Sequence, residues 1–519
     1  MSQAVEAKRT GENGSFWVTL LAIILGTFVA VLNNSLINVA LPKLVNVFGS
    51  TTQDIQWVLT GYMLASAVVI PMSGSLGDKY GYKKMFILSL WAFTMFSFLC
   101  GLAWSDTSLI AFRIFQGISG GFIMPVGMAM IYMIVPRQQI GMALGLWGIA
   151  AMVAPAIGPT LSGYLIEYFS WRVLFFICVP VGVFAAIISG VLLKETPKKP
   201  ELPFDAAGAV LSVIAFGTLL LALTKGQSEG WDSLYIVSLL FVAFFSIVLL
   251  VWVELGKAQP LIDFRLFKIP TFTLSTLTSG LVMMGMFGGV FLTPIYLQNI
   301  QGMTPVETGL LLMPQSIAMA LMMPVSGKLF DKFGVGPIGL VGLTLMGAMT
   351  YELNRLAVDT PNHWLNTILT IRGIGIGLCM MPLTTVGMNA IPKEFVGKAS
   401  SMSNLFRQVM GSLGIAVLTA IMTQQQTLHA ALIAESVSVT SAVAQQTIAG
   451  VSALYAQGGV DAATAQGGAM QLLAGYIQKE AAVRAIADTF LISAMPILAS
   501  IPFIYFLRKK RSPEPAKQA

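Results

Sequence analysis

GSLGDKYGYKK, Gly74 to Lys84, and GKLFDKFG, Gly327 to Gly334, are one element written twice, each with a glycine four residues ahead of an aspartate and a lysine directly after it. A charged cluster suits any loop between apolar helices, but shared spacing in the two halves of a chain is the mark of internal duplication. A second pair points the same way: RIFQGISGG begins at Arg113 and RGIGIG at Arg372. Two similar halves are therefore expected, each with its glycine–aspartate turn and its arginine inside an apolar run.

The surroundings of these repeats define their solvent. Of 519 residues, 56% are hydrophobic and 10% charged, and the mean hydropathy is +0.79. These values place the chain in the membrane class. Apolar runs of roughly 20 residues, enough to cross a ~30 Å hydrocarbon core, recur about fourteen times. Between the repeats lies extra material, so the chain divides into a tail (1–15), six spans (16–193), a polar linker (194–203), two additional spans (204–256) and a basic connector (257–269). A second set of six spans (270–507), with a long outer loop at 424–483, and a second tail (508–519) complete it.

The net charge of +7 is informative through its distribution. If both ends are cytoplasmic, alternate loops collect Lys79, Lys83, Lys84, Arg137, Lys194, Lys198, Lys199, Lys257, Arg265, Lys268, Lys328, Lys332, Lys393, Lys398 and the cluster Arg508 to Arg511, while the opposite loops hold few. That bias orients a multi-pass protein of the bacterial inner membrane with an even helix count and cytoplasmic termini. Trp57, Trp104, Trp171, Trp231 and Trp364 fall near the other ends of the spans, as interfacial aromatics should. The basic balance needs no nucleic acid to explain it. Cys100, Cys178 and Cys379 lie inside apolar runs without metal-type spacing, and no cleavable signal peptide is evident.

APAIGPTLSG, Ala154 to Gly163, is the densest motif inside a span. Proline removes a helical donor, so Pro155 and Pro159 imply a bent helix whose freed carbonyls find partners in protein. Ala154, Gly158 and Ser162, with Gly141 and Gly145 before them, repeat every four residues and allow another backbone to approach. A packing seam is sufficient reason for that spacing. Pro155, Gly158, Pro159 and Gly163 also resemble the fifth-helix antiporter motif of major facilitator exporters, with Ser162-Gly163 where Gly-Gly is usual.

That resemblance extends along the chain. Gly74, Asp78, Lys79, Gly81, Lys83 and Lys84, and their return as Gly327, Asp331 and Lys332, are similar to the loop signature between helices two and three of the major facilitator superfamily. With WVLTGYMLA from Trp57, SWRVLFF from Ser170, LIDFRLF from Leu261, IYLQNIQGMTP from Ile295 and ASSMSNLFRQ from Ala399, the sequence resembles the 14-span drug:proton antiporter family of the EmrB/QacA type. The implied fold is all-α and polytopic: two six-helix bundles plus two extra central helices, fourteen transmembrane helices in all. The implied activity is export of small amphipathic compounds through the bilayer, driven by the proton gradient without a cofactor. A periplasmic adaptor and outer-membrane channel are admitted as partners, since some Gram-negative relatives hand substrate to one. A narrow-specificity or lipid and fatty-acid exporter of the same fold, with altered or absent proton coupling, stays open beside this reading. A membrane enzyme or sensor is a distant third.

The energy source has to be sought among few residues. G-x-x-x-x-G-K-[ST] is absent; GKAS at Gly397 has Ala399 where a hydroxyl is required. Neither His363 nor His429 has a nucleophile or metal-ligand pattern around it, and both are expected as solvated residues of outer loops. The resemblance places a proton-carrying aspartate in the first span, but the residue there is Asn33, which cannot titrate in the working pH range. The coupling candidates left are Glu167, Glu307 and Glu352. In TPVE, Thr304 to Glu307, the carboxylate also suits a capping box. Asp78 and Asp331 are expected to hold an inner gate by charge pairing.

Arg113, Arg372 and Arg407 sit inside apolar runs, where a charge costs roughly 2.5–3.5 kcal/mol at mid-membrane. They must face protein or water, tied to carbonyls or amides. The residues expected to line a polar cavity are Asn33, Asn34 and Asn38 of the first span, Tyr62, Arg113, Gln116, Tyr296, Gln298, Asn404 and Arg407. A cavity so composed is neutral to positive. The 29 methionines, as in LVMMGMFGG from Leu281, offer adaptable apolar surface.

Overall fold

The structure is a computed structural model that describes residues 2–136, 139–436, 442–457 and 461–507. Side chains before Trp17 and at some helical positions, Pro155 and Pro159 among them, lie outside the described residues, as do Arg137 and Arg508 to Arg511. Among the described residues there is no strand.

The first bundle comprises α1 (Ser2–Phe48), α2 (Thr52–Val69), α3 (Met72–Tyr80), α4 (Tyr82–Gly101), α5 (Asp106–Ile134), α6 (Ile140–Tyr168), α7 (Val173–Phe176) and α8 (Cys178–Leu192). A hairpin of α9 (Ala206–Glu229) and α10 (Leu234–Gly256) follows. The second bundle comprises α11 (Pro270–Ile295), α12 (Pro305–Phe333), α13 (Val335–Glu352), α14 (Asn362–Asn389), α15 (Val396–Ser436), α16 (Ala442–Gln457), α17 (Ala462–Ala499) and α18 (Ile501–Leu507). Among the described residues eleven helices are long and apolar enough to cross a membrane, or up to twelve when α2 and α3, bent by 57° at their junction, count as one span. α6 and α13, of 29 and 18 residues, complete the bundles beside them.

Local chemistry sets the boundaries. Ser105 and Thr304 each open a helix with a reciprocal capping box, and Asp205, Ser233 and Asp461 cap three others. Such caps satisfy amide donors that lipid cannot. The repeated turn owes its closing glycine to backbone geometry: Gly81 at φ 92° and Gly334 at φ 77° end α3 and α12 in the left-handed region that side chains avoid. This is why both copies of the motif end in glycine.

One end of the molecule carries the 194–203 linker and the 257–269 connector, and is called the linker face here. The opposite end carries α16 and the neighbouring ends of α15 and α17, the extension. Within the long outer loop expected at 424–483 the chain is helical through Ser436, from Ala442 to Gln457 and again from Ala462; 437–441 and 458–460 lie outside the described residues. α9 packs against α2 and α15, one helix from each bundle. α10 presents Phe241, Phe244 and Trp252 outward, as a helix facing lipid does.

Candidate functional site

The first site is built around Arg113 on α5, which is fully buried. Its Nη1 donates to Asn33 Oδ1 and to Gln116 Oε1, both at 2.8 Å, and its Nε donates to the Val58 carbonyl at 3.0 Å. Nη2 reaches Asn34 Oδ1 at 3.5 Å, and the guanidinium lies 4.2 Å from the centre of the Tyr62 ring. Asn33 in turn donates from Nδ2 to Ser97 Oγ at 3.3 Å, and Ser97 donates to the Phe175 carbonyl. Five of the expected cavity residues thus form one cluster joining α1, α2 and α5. Asn38 does not join it and stands exposed. No carboxylate contacts Arg113 among the described residues, so the charge is held by amide dipoles, a carbonyl and an aromatic face.

Arg372 on α14 occupies the equivalent position in the second repeat and is also fully buried. Its Nε donates to Thr350 Oγ1 at 2.9 Å and its Nη2 to the Met286 carbonyl at 3.3 Å, while Nη1 has no partner among the described residues. Gly289 lies against the guanidinium, which any side chain there would displace. Arg407 is different in placement. It stands where the bundles meet, donating to Thr384 Oγ1 at 3.0 Å and to Asn404 Oδ1 at 2.9 Å, with Met128 Sδ of the first bundle 3.7 Å away. Asn404 donates to the same sulfur at 3.5 Å. Two other expected cavity residues lie elsewhere. Tyr296 is buried and donates to the Ala357 carbonyl at 2.6 Å, and Gln298 is exposed on a π-helical turn.

At the linker face the bundles are latched by backbone. Ser73 and Ser401 hydroxyls meet at 2.5 Å, the Gly74 amide donates to Ser401 Oγ at 3.0 Å, and Ser400 donates to the Pro125 carbonyl at 2.9 Å. A Cβ on Gly74 would stand 2.9 Å from the Gly397 backbone, and one on Gly145 2.6 Å from the Met323 carbonyl oxygen. Gly141 and Gly327 press together likewise. The carboxylates of the repeated motif sit beside these crossings, but not in the charge pairs expected of them. Asp78 accepts the Tyr82 hydroxyl at 2.7 Å, and Asp331 accepts the backbone N–H groups of Gly141 and Met142 at the start of α6. Among the described residues the Tyr82 hydroxyl holds Asp78 and helix amides hold Asp331, while the charges of Lys199 and Lys398 act on Asp78 without a direct ion pair. Lys79 and Lys332 lean over the rings of Tyr80 and Phe333 instead, and Lys83 and Lys84 open α4 without reaching the latch.

The antiporter-motif helix α6 works as a two-sided seam. Its beginning packs on α12 through Gly141, Gly145 and Gly148; its later part packs on α1, with Ser35 against Gly158 and Ser162 donating to the Leu36 carbonyl at 2.6 Å. Gly163 approaches Val306. The coupling candidates are peripheral. Glu167 is exposed, Glu352 pairs with Arg355 at 3.1 Å, and Glu307 accepts the Thr304 N–H at 2.8 Å in the capping box. Both histidines are helical rather than in loops: His363 opens α14, and His429 lies on α15 with Nε2 2.8 Å from Asp488 Oδ2 on α17. The loop reading failed because α15 continues past Gln424 without a break. Trp171, expected at an interface, is buried at 2% exposure against Phe48 and Phe175.

Sequence reasoning missed the Ser73–Ser401 contact, Tyr82 and Thr384. Small hydroxyls within apolar runs carry little signal, and Tyr82 meets Asp78 only because the chain turns at Gly81 between α3 and α4. It also missed the acid–lysine cluster of the hairpin, in which Lys257 Nζ lies 2.6 Å from Asp205 Oδ1 and 3.1 Å from Glu254 Oε1. Burial works against the Lys257 charge, but the two carboxylates outweigh it and raise the ammonium above its usual range. Its stabilising effect is thus complete below the unfolded value of about 10.4 and fades only at higher pH.

Paired bundles, a duplicated turn with its carboxylate, and a close backbone seam between the bundles are the architecture of a membrane transporter. The profile of the Major Facilitator Superfamily matches residues 23–415. The chain belongs to the major facilitator superfamily. It is 38% identical to the uncharacterized MFS-type transporter YhcA of Bacillus subtilis, over 81% of this chain and 79% of that one. It is 32% identical to the multidrug export protein EmrB of Escherichia coli K12, over 82% and 84%. To the tetracenomycin C resistance and export protein of Streptomyces glaucescens it is 30% identical, over 80% and 78%. Its relatives are thus of the EmrB/QacA type that the motifs indicated. Among solved structures, the proton:xylose symporter XylE superposes with a TM-score of 0.59 at 11% identity, over 95% of this chain and 97% of that one. That likeness speaks for the fold alone.

Proposed function

We propose that the protein exports small amphipathic compounds across the bacterial inner membrane by proton-coupled alternating access, with fourteen spans and the linker face in the cytoplasm. The carrying observation is the latch. It consists of serine hydroxyls, backbone amides and glycine crossings between α3 and α15 and between α6 and α12. Contacts of this kind close tightly, and the charged member among them, Asp331 on the Gly141 and Met142 amides, is exposed, so no buried charge is stranded when they part, as a two-state gate requires.

The chemistry of the interior supports two finer statements. Asn33 accepts from Arg113 at 2.8 Å where the family resemblance calls for a proton-carrying acid. In this reading proton coupling runs through a carboxylate outside that cluster, and Glu167 at the end of the motif helix is the first to test. Arg113, Arg372 and Arg407 have no carboxylate among their hydrogen-bond partners. An interior of that sign favours neutral or weakly anionic amphiphiles over dications.

Purified protein in proteoliposomes under an imposed pH gradient tests this, following lumenal pH together with uptake of weak-acid, neutral and cationic compounds. Export of weak acids with counter-movement of protons, lost in Glu167→Gln, is the expected result. Substrate movement with no proton movement would make the protein a facilitator or a lipid-type exporter. Export of ethidium-like cations with weak acids ignored would overturn the substrate preference.

A further inference from the structure

We propose that the α9–α10 hairpin is a working part of the gate: its connector straps α3 to α15 across the latch, and the Asp205–Lys257–Glu254 cluster anchors that strap. The inference rests on the alternating-access reading above and adds to it Asp205, Glu254, Lys257 and Lys398, which lie outside the repeated motifs.

Glu254, in the last turn of α10, is 1% exposed. A buried carboxylate is retained only where its oxygens are fully engaged, and these are. Oε1 accepts Lys257 Nζ at 3.1 Å, and Oε2 accepts the Ile262 amide at 2.9 Å. Lys257 reaches across to both oxygens of Asp205 at 2.6 Å, while Asp205 caps α9 by accepting the Gly208 amide at 2.8 Å. One cluster thus fixes the start of α9, the end of α10 and the middle of the connector together. Two helices that did nothing but face lipid would need no such anchor.

What leaves the anchor explains it. Leu261 and Ile262 are buried at 2% and 4% exposure, so the connector lies in the protein rather than over its surface. The Pro260 carbonyl accepts Lys398 Nζ of α15 at 2.9 Å, and the next carbonyl, of Leu261, accepts Ser75 Oγ of α3 at 3.5 Å. Lys398 and Ser75 belong to opposite bundles, on either side of the Ser73–Ser401 contact. When α3 and α15 part, at least one of these bonds must break. Far from the linker face the hairpin again touches both bundles: Gln227 donates to Thr423 at 3.0 Å, and Lys225 lies 5.5 Å from the Trp57 ring. The hairpin therefore rides the seam along its length, and its anchor biases the closed state.

The test is a spin-label distance across the gate in the full chain, using Tyr80→Cys and Glu394→Cys, both at exposed positions. All three native thiols are buried, so labels report the added pair. Lys398→Met is expected to raise the gate-open population roughly five-fold, the factor that follows from losing one partly buried interaction, and Lys257→Met, which removes contacts to both Asp205 and Glu254, by at least as much. Lys257→Arg should restore the wild-type distribution. Asp205→Asn removes the charge while keeping the helix cap, so a shift there cannot be ascribed to an unravelled hairpin. Wild type that opens with added substrate, alongside variants that open no more readily, would overturn the strap alone. A single fixed distance in every variant and with every compound would overturn the alternating-access reading and the strap with it.

Discussion

Arg113 and Arg372 head the same repeated motif and are equally buried, yet they keep different company. Around Arg113 three amide side chains, a carbonyl and an aromatic ring occupy the guanidinium. Around Arg372 there is one hydroxyl and one carbonyl, and Nη1 goes without. Duplication accounts for the shared position. The different surroundings show that the two halves have since diverged in how they hold a charge. The first holds its charge in a polar nest of amides, and the second carries an incompletely satisfied one.

This asymmetry predicts the largest effect. Arg113→Met takes the arginine donor from Asn33 Oδ1 and leaves Gln116 Oε1 with only the weak Cys100 thiol contact at 3.9 Å, each a loss of roughly 1–3 kcal/mol, so a destabilisation of about 2–4 kcal/mol is expected. Arg372→Met leaves Thr350 bonded to the Met346 carbonyl at 2.7 Å and removes a donor that had no partner. Replacing a poorly satisfied buried charge with a matching apolar chain is often neutral, and a change under about 1 kcal/mol is expected. Thermal unfolding of the two variants in one detergent measures the difference, and equal losses would erase the comparison.

The latch sharpens it at the next level. A Cβ on Gly327 would meet backbone of Gly141 and Met142, and one on Gly74 would meet backbone of Gly397 and Lys398. Backbone cannot rotate aside, so Gly327→Ala and Gly74→Ala should each weaken the closed gate by about 1–3 kcal/mol. Gly334→Ala, with open space around it but φ 77°, should cost only about 1 kcal/mol in stability and leave the gate alone. The gate distance described above, together with the rate of substrate uptake, separates those outcomes.

What the sequence disclosed follows from the physics each feature uses. The duplicated turn was legible because a left-handed glycine and a carboxylate at a helix end are demanded by local geometry. The Glu307 capping box was legible for the same reason. Arg113, Asn33 and Asn34 were legible as polar groups that lipid excludes, but their convergence was not, because it depends on how α1, α2 and α5 pack. The hairpin anchor was hidden most completely. Asp205, Glu254 and Lys257 look like ordinary charges at helix ends, and only the chain's return from α10 to α9 joins them. His429 was misplaced because composition alone does not tell a polar loop from a helix that runs on beyond the membrane.

Asn33 offers a finer test of the first nest. Asn33→Asp keeps an oxygen for Arg113 but loses the Nδ2 donation to Ser97. A gained ion pair and a lost hydrogen bond nearly offset each other, so stability should change by no more than about 1 kcal/mol. The pH profile of transport should change from that of wild type, since a titrating group now sits on the arginine. An unchanged pH profile would show that the nest is a structural tie and takes no part in the cycle.

The smallest effect concerns the acid that the second half carries at the opening of α12. Glu307 accepts the Thr304 amide at 2.8 Å while Thr304 Oγ1 accepts the Glu307 amide at 3.2 Å, the reciprocal pair of a helix start. Glutamine fills that role as well as glutamate does. Glu307→Gln should therefore leave both stability and the pH profile of transport unchanged, and Glu307→Ala should cost about 1 kcal/mol of stability. The same uptake assay decides the matter: a pH profile flattened by Glu307→Gln would make this carboxylate a proton carrier, and would give the second half a titrating group to set against the amide nest of the first.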